Sequence, residues 1–125
     1  MIKTINTKKA PGAVGPYSQA IEANGFIFCS GQIGLDPETG NLVNSLEVQT
    51  KRVLNNLKAV LEEADSGMDF IVKTTIYLKN ISDFQVVNSI YAEFFPIHKP
   101  ARATVEVSNL PKGALIEIDA IAVKK

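Results

Sequence analysis

The stretch "LIEIDAIAV", residues 115 to 123, constrains the fold more than any other part of the chain. In an extended strand successive side chains point to opposite faces. Ile116, Ile118, Ala120 and Ala122 then share one side, and Leu115, Glu117, Asp119, Ile121 and Val123 the other. Both sides are largely apolar, so both must be kept from water. Helices supply one cover. In residues 46 to 64, Leu46, Val53, Leu54, Leu57, Val60, Leu61 and Ala64 fall on one helical face, with Asn44 three residues before Glu47 as the expected N-cap and Gly67 as the stop. In residues 83 to 95, Phe84, Val87, Ile90, Tyr91, Phe94 and Phe95 form a second stripe, opened by the capping-box pattern Ser82-x-x-Gln85 and closed by Pro96. No further helix remains for the opposite face of the strand, which is expected to be covered by another copy of the chain.

The other segments read as strands. Asn24-Gly25 lies between two extended runs, and a two-residue turn that needs positive φ at both positions makes residues 18 to 30 a hairpin. "FIVKTTIYL" at 70 to 78 and "ARATVEV" at 101 to 107 are strands, and "MIKTI" at the start adds an edge strand. The order β, β-hairpin, α, β, α, β, β predicts a two-layer α+β domain spanning residues 1 to 125, a mixed six-stranded sheet with both helices on one face.

Composition narrows the chemistry. Thirteen basic residues balance thirteen acidic ones with no long Lys/Arg block, so nucleic acid is not an expected partner. His98 is the only histidine and Cys29 the only cysteine, and they stand far apart. A metal site, a His-based triad and an internal disulfide are therefore not expected. Neither GxGxxG nor GxxxxGK[ST] occurs, which leaves no case for a nucleotide cofactor. The N-terminal residues lack the apolar core of a signal peptide, and no stretch is long enough for a membrane span; a cytoplasmic protein is expected.

Glu117 and Asp119 sit within an apolar strand, where a carboxylate needs a partner. Arg102, in "PARATVEV", is the best-placed opposite charge. It reads as a solvated edge charge, as half of an ion pair with Glu117, or as a clamp for a ligand carboxylate. A simple hairpin about "SNLPKGA" would set Arg102 opposite Ala120 and Glu117 opposite Val105, on different faces. The two charges can then meet only through another register or strand order. Tyr17 after "GAVGP", Ser30-Gly31 at the end of the hairpin and Asn88 on the polar side of the second helix have ordinary structural readings when taken singly.

Together, "GPYSQAI", "SGQIGLDPETG", "VKTTIYLKNISDFQVVNSIYAEFF" and "PARATVEVSNLPKGALIEIDAIAV" resemble the RidA family of enamine/imine deaminases over almost the whole chain. The resemblance implies a chorismate-mutase-like fold, a homotrimer with sheets packed around the threefold axis, and a cleft at each subunit interface. It implies hydrolysis of 2-iminobutanoate and 2-iminopropanoate to 2-oxo acids and ammonia without a cofactor. Arg102 would bind the substrate carboxylate, Glu117 would hold the attacking water, and Tyr17, Ser30, Gly31 and Asn88 would line the cleft, some from the neighbouring subunit. Thr104, where many relatives have Cys, would contribute backbone polar groups. Gly34, where relatives often have Pro, is expected to loosen the loop after Gln32. Two rival readings are a non-catalytic trimer that binds small carboxylates or hydrophobic clients, and an endoribonuclease, which the charge balance disfavours.

Overall fold

A computed structural model describes all 125 residues. It contains β1 (Ile2–Ile5), β2 (Ala20–Ala23), β3 (Phe26–Ile33), α1 (Leu46–Glu63), β4 (Ile71–Leu78), α2 (Phe84–Phe94), β5 (Ala101–Glu106) and β6 (Ile116–Val123). The strands form one sheet in the order β1-β2-β3-β6-β4-β5. Only β4 and β5 are parallel, because α2 carries the chain back across the sheet between them; the other neighbours are antiparallel. Asn24 and Gly25 both take positive φ, 56° and 79°, as the tight β2–β3 turn requires. No helix is long and apolar enough to cross a membrane.

The central strand follows its alternation. Ile116, Ile118, Ala120 and Ala122 are at most 2% exposed and join the core formed with α1 and α2. Val53, Leu54, Leu57, Val60 and Leu61 of α1 are completely buried against it, and Val87, Ile90 and Tyr91 of α2 nearly so. On the far side, Leu115, Glu117, Asp119, Ile121 and Val123 are half-buried. On the same face, Phe26 and Phe28 of the adjoining β3 and Val105 of β5, beyond β4, are 41%, 45% and 42% exposed. This α+β fold leaves one sheet face apolar and uncovered within the chain.

The helix ends differ from the expected signals. Ser45, not Asn44, caps α1, its Oγ accepting from Val48 N at 3.3 Å. The helix stops before Gly67: Asp65 takes φ 56° and the Ser66 N–H donates to Leu61 O, so an aspartate adopts the left-handed turn. The Ser82-x-x-Gln85 capping box does not form. Residues Ile81–Asp83 make a 3₁₀ turn leading into α2, and Glu106 Oε1 of β5 accepts from the Ile81 N–H at 2.8 Å.

Gly34 also departs from expectation, because it tightens its loop. It is buried, and a Cβ there would lie 2.9 Å from Gln49 Cα in α1. The loop is held by two buried polar side chains of α1. Gln49 donates to Val43 O and accepts from Leu115 N, while Asn56 donates to Leu35 O.

Candidate active site

Arg102 lies in β5 beside Thr74 of β4, on the face covered by α2. Three α2 residues spaced four and three apart, Phe84, Asn88 and Tyr91, form one stripe over it. The guanidinium carbon is 5.3 Å from the Phe84 ring centre and 5.0 Å from that of Tyr91, within cation–π range of both. Nη1 donates to Asn88 Oδ1 at 2.7 Å, leaving most of the fork free. Tyr91 is fixed in turn by a 2.7 Å hydrogen bond between its hydroxyl and Thr74 Oγ1. Burial raises the Tyr91 pKa, so this hydroxyl stays protonated. Asn88, Tyr91, Phe95, Lys99 and Arg102 line a cleft of about 470 Å³. The only salt bridge in the chain joins Lys124 to Glu22, so Arg102 is not half of an intrachain ion pair. Periodicity assigned Phe84 and Tyr91 to the core and Asn88 to solvent; the i, i+4, i+7 spacing is the signal that joins them to Arg102.

Glu117 occupies a different cleft, of about 320 Å³, with Tyr17, Gly31, Pro111 and Lys112 among its lining residues. The carboxylate rests against Gly31, where a Cβ would lie only 2.2 Å from Glu117 Oε2. This close approach is possible because the β3–β6 register shifts between Cys29 and Gln32, placing Ser30 and Gly31 in a bulge. Ser30 is anchored by its Oγ donating to Ser18 O at 2.6 Å and its N–H to Gln19 O at 3.0 Å. Tyr17 is 53% exposed at the rim and follows Gly15, whose φ is 114°. Lys112 adopts φ 57° and ψ 20°, an unusual conformation for a side chain this large. Desolvation raises the Glu117 pKa above its ordinary value, and the charge of nearby Asp119 adds to the effect. Asp119 accepts a 2.9 Å hydrogen bond from the Tyr77 hydroxyl.

The two clefts do not meet within one chain. Arg102 aligns with Thr74 and, across β4, with Ala120; Glu117 aligns with Tyr77 and, across β4, with Val105. The rows are three residues apart along the strands, an odd number, so Arg102 and Glu117 face opposite sides of the sheet. These are the pairings expected of the simple hairpin, preserved although β4 separates β5 from β6. Arg102 therefore does not stand beside Glu117 of its own chain.

Thr104 sits on the Arg102 face, its Oγ1 buried without a hydrogen-bond partner. Val107 N donates to Leu78 O, so odd-numbered residues of this segment point their backbone groups toward β4. Alternation then turns the N–H and C=O of Thr104 toward the free sheet edge. Arg102, Asn88 and Thr104 are thus grouped at the α2–β5 edge, and Tyr17, Ser30, Gly31 and Glu117 at the bulge.

Comparison with known proteins gives concordant matches. The family model described as Endoribonuclease L-PSP matches residues 7–124. A RutC family protein of Pyrococcus abyssi is 53% identical over 124 residues, covering 98% of each chain. The 2-iminobutanoate/2-iminopropanoate deaminase of Salmonella typhimurium is 44% identical over 128 residues, covering all of both chains. Among solved structures, E. coli TdcF with bound serine superposes with a TM-score of 0.94 at 38% identity, covering 98% of this chain and 99% of that one.

Proposed function

The chain belongs to the RidA family, and from that premise we propose that it hydrolyses 2-imino acids such as 2-iminobutanoate and 2-iminopropanoate at clefts shared between neighbouring copies in a homotrimer. The observation that carries this reading is the separation of a cradled arginine and a half-buried glutamate onto opposite faces of one sheet. Stacking copies through the uncovered apolar face would bury Phe26, Phe28 and Val105. It would also bring the Arg102 edge of one copy to the Glu117 bulge of the next.

In such a cleft the free guanidinium N–H groups grip the substrate carboxylate in two parallel bonds and fix the imine carbon. Glu117 of the adjacent copy accepts a hydrogen bond from a water and takes its proton as the oxygen attacks that carbon. The elevated pKa suits the carboxylate to hold this proton and return it to nitrogen. The carbon–nitrogen bond of the resulting carbinolamine then breaks, releasing ammonia and the 2-oxo acid. A protonated imine is already a strong electrophile, so positioning and proton transfer can carry the reaction. A ribonuclease reading would require a concentrated positive surface, and the balanced charge does not favour it.

Subunit complementation tests the proposal. Arg102→Ala and Glu117→Gln are each expected to lose deamination of 2-iminobutanoate, generated in situ by a threonine dehydratase and followed with a semicarbazide trap. Unfolded, mixed in equal amounts and refolded together, the two variants should recover about one quarter of wild-type activity, since that share of shared clefts draws Arg102 from one variant and Glu117 from the other. No recovery in verified mixed trimers would overturn the shared cleft. Full activity in Arg102→Ala would refute the clamp.

A further inference from the structure

The Arg102 cleft contains a second cation to which the reaction above gives no role. Lys99 lines it, with its Nζ held by a 3.1 Å hydrogen bond to Phe95 O at the end of α2. No Asp or Glu side chain of the same chain lines this cleft. Since the chain's only salt bridge lies elsewhere, neither Lys99 nor Arg102 has a carboxylate partner within the chain. A monocarboxylate would neutralise one of these two charges.

We propose that Lys99 is a specificity-determining residue that receives a second carboxylate, so that the cleft takes 2-imino dicarboxylic acids as well as monocarboxylic ones. This rests on the imine-deaminase reading and extends its substrate class. Arg102 binds the carboxylate adjacent to the imine carbon, as before. Lys99, three residues earlier and beyond Pro100, faces a carboxylate at the other end of the substrate. Its anchoring carbonyl uses one ammonium hydrogen and leaves two donors for the ligand. The chemistry at the imine carbon is unchanged: water adds, ammonia leaves, and the product is a 2-oxo dicarboxylate. The competing role for Lys99 is structural, as a cation that stabilises the C-terminal end of α2.

Substrate selectivity separates the two roles. Imines are generated from L-glutamate and L-2-aminobutyrate by flavin-dependent amino acid oxidases, and kcat/KM is measured for each with wild type, Lys99→Met and Lys99→Arg. Binding of 2-oxoglutarate and 2-oxobutanoate is measured by calorimetry. The expected result is that Lys99→Met lowers the dicarboxylic-to-monocarboxylic ratio about fivefold, the scale of one exposed ion pair, and that Lys99→Arg restores it. An unchanged ratio, including one in which both substrates lose equally while thermal stability falls, overturns the proposal and leaves only the helix-end role. Arg102→Ala distinguishes this failure from failure of the underlying reading. If that variant binds both oxo acids as well as wild type does, the clamp itself is wrong; if it loses both while the Lys99→Met ratio is unchanged, only the dicarboxylate inference falls.

Discussion

Gly31→Ala isolates the contribution of Glu117 geometry. Gly31 has no positive φ, so alanine brings no left-handed backbone strain to the bulge. Its Cβ would nevertheless stand 2.2 Å from Glu117 Oε2, 2.9 Å from Cδ and 3.1 Å from Cγ. To reach an ordinary contact of 3.4 Å, Oε2 must retreat by the missing 1.2 Å. The contacted atoms end a flexible side chain, so the carboxylate moves while the sheet holds.

A shift of this size matters for positioned chemistry, where about 1 Å of misplacement can cost ~100-fold in rate. The expected kcat for 2-iminobutanoate therefore falls about 100-fold, equivalent to about 2.7 kcal/mol in the barrier. Binding of 2-oxobutanoate should fall much less than kcat, because its carboxylate is gripped by Arg102 of the adjacent copy and not by Glu117. The dehydratase-coupled semicarbazide assay gives kcat, calorimetry gives product affinity, and sedimentation confirms assembly. Wild-type kcat in an assembled Gly31→Ala protein would refute the argument that the carboxylate position governs the reaction. A parallel loss of product affinity would contradict the division of labour between the two clefts.

Two further perturbations probe the charges and their supports. Because desolvation raises the Glu117 pKa, the folded chain holds this proton more tightly than the unfolded one. The associated stability is fully present below the ordinary carboxylate pKa and is lost as pH rises through the elevated value. Thermal melts from about pH 4 to 8 should therefore show Glu117→Gln gaining stability over wild type toward neutral pH, with the difference shrinking in acid; the opposite trend would show that Glu117 is stabilised as an anion. In wild type, kcat/KM should fall as pH drops through the same elevated value. Tyr91→Phe keeps a ring over Arg102 but leaves Thr74 Oγ1, which is fully buried, without its partner. Denaturant titration should register a loss of about 1 to 2 kcal/mol with 2-oxobutanoate affinity largely kept, whereas Tyr91→Leu should also weaken binding.

The layers of the fold were legible because they rest on periodicity. The two faces of β6, the two helical stripes and the Asn24-Gly25 turn each correspond to a local pattern with one economical solution. Helix ends were less legible. Ser45 stood beside Asn44 with the same capping chemistry, and Asp65 took a left-handed conformation usually favoured by Gly or Asn. The alternative to a Ser82 capping box was Glu106, more than twenty residues away in another strand, which no local window could detect. Gly34 was misread because its constraint comes from the α1 backbone at Gln49. Within the candidate site, strand parity separated Arg102 from Glu117 only for a simple hairpin and left open a meeting through another strand order. β4 does lie between the two strands, which no hairpin argument could detect, and the opposite faces persist. The Phe84–Asn88–Tyr91 cradle went unrecognised because each member had an adequate explanation alone.

The separation of Arg102 from Glu117 has a chemical consequence for the proposed cleft. An arginine and a glutamate side by side in one chain would neutralise each other, and a substrate carboxylate would have to displace that glutamate before binding. Here the guanidinium is held by neutral groups, an amide oxygen and two aromatic rings, which orient it without cancelling its charge. The glutamate has no cation within salt-bridge distance in its own chain; apolar surroundings and Asp119 make its proton harder to lose. Each group is thus biased toward its proposed task before assembly: the arginine to attract an anion, the glutamate to take a proton from water more readily than an exposed carboxylate would and to pass it on to nitrogen. Neighbouring copies need only set the distance between them, so a change at the sheet face that altered packing without touching either cleft would reduce turnover while preserving both local geometries.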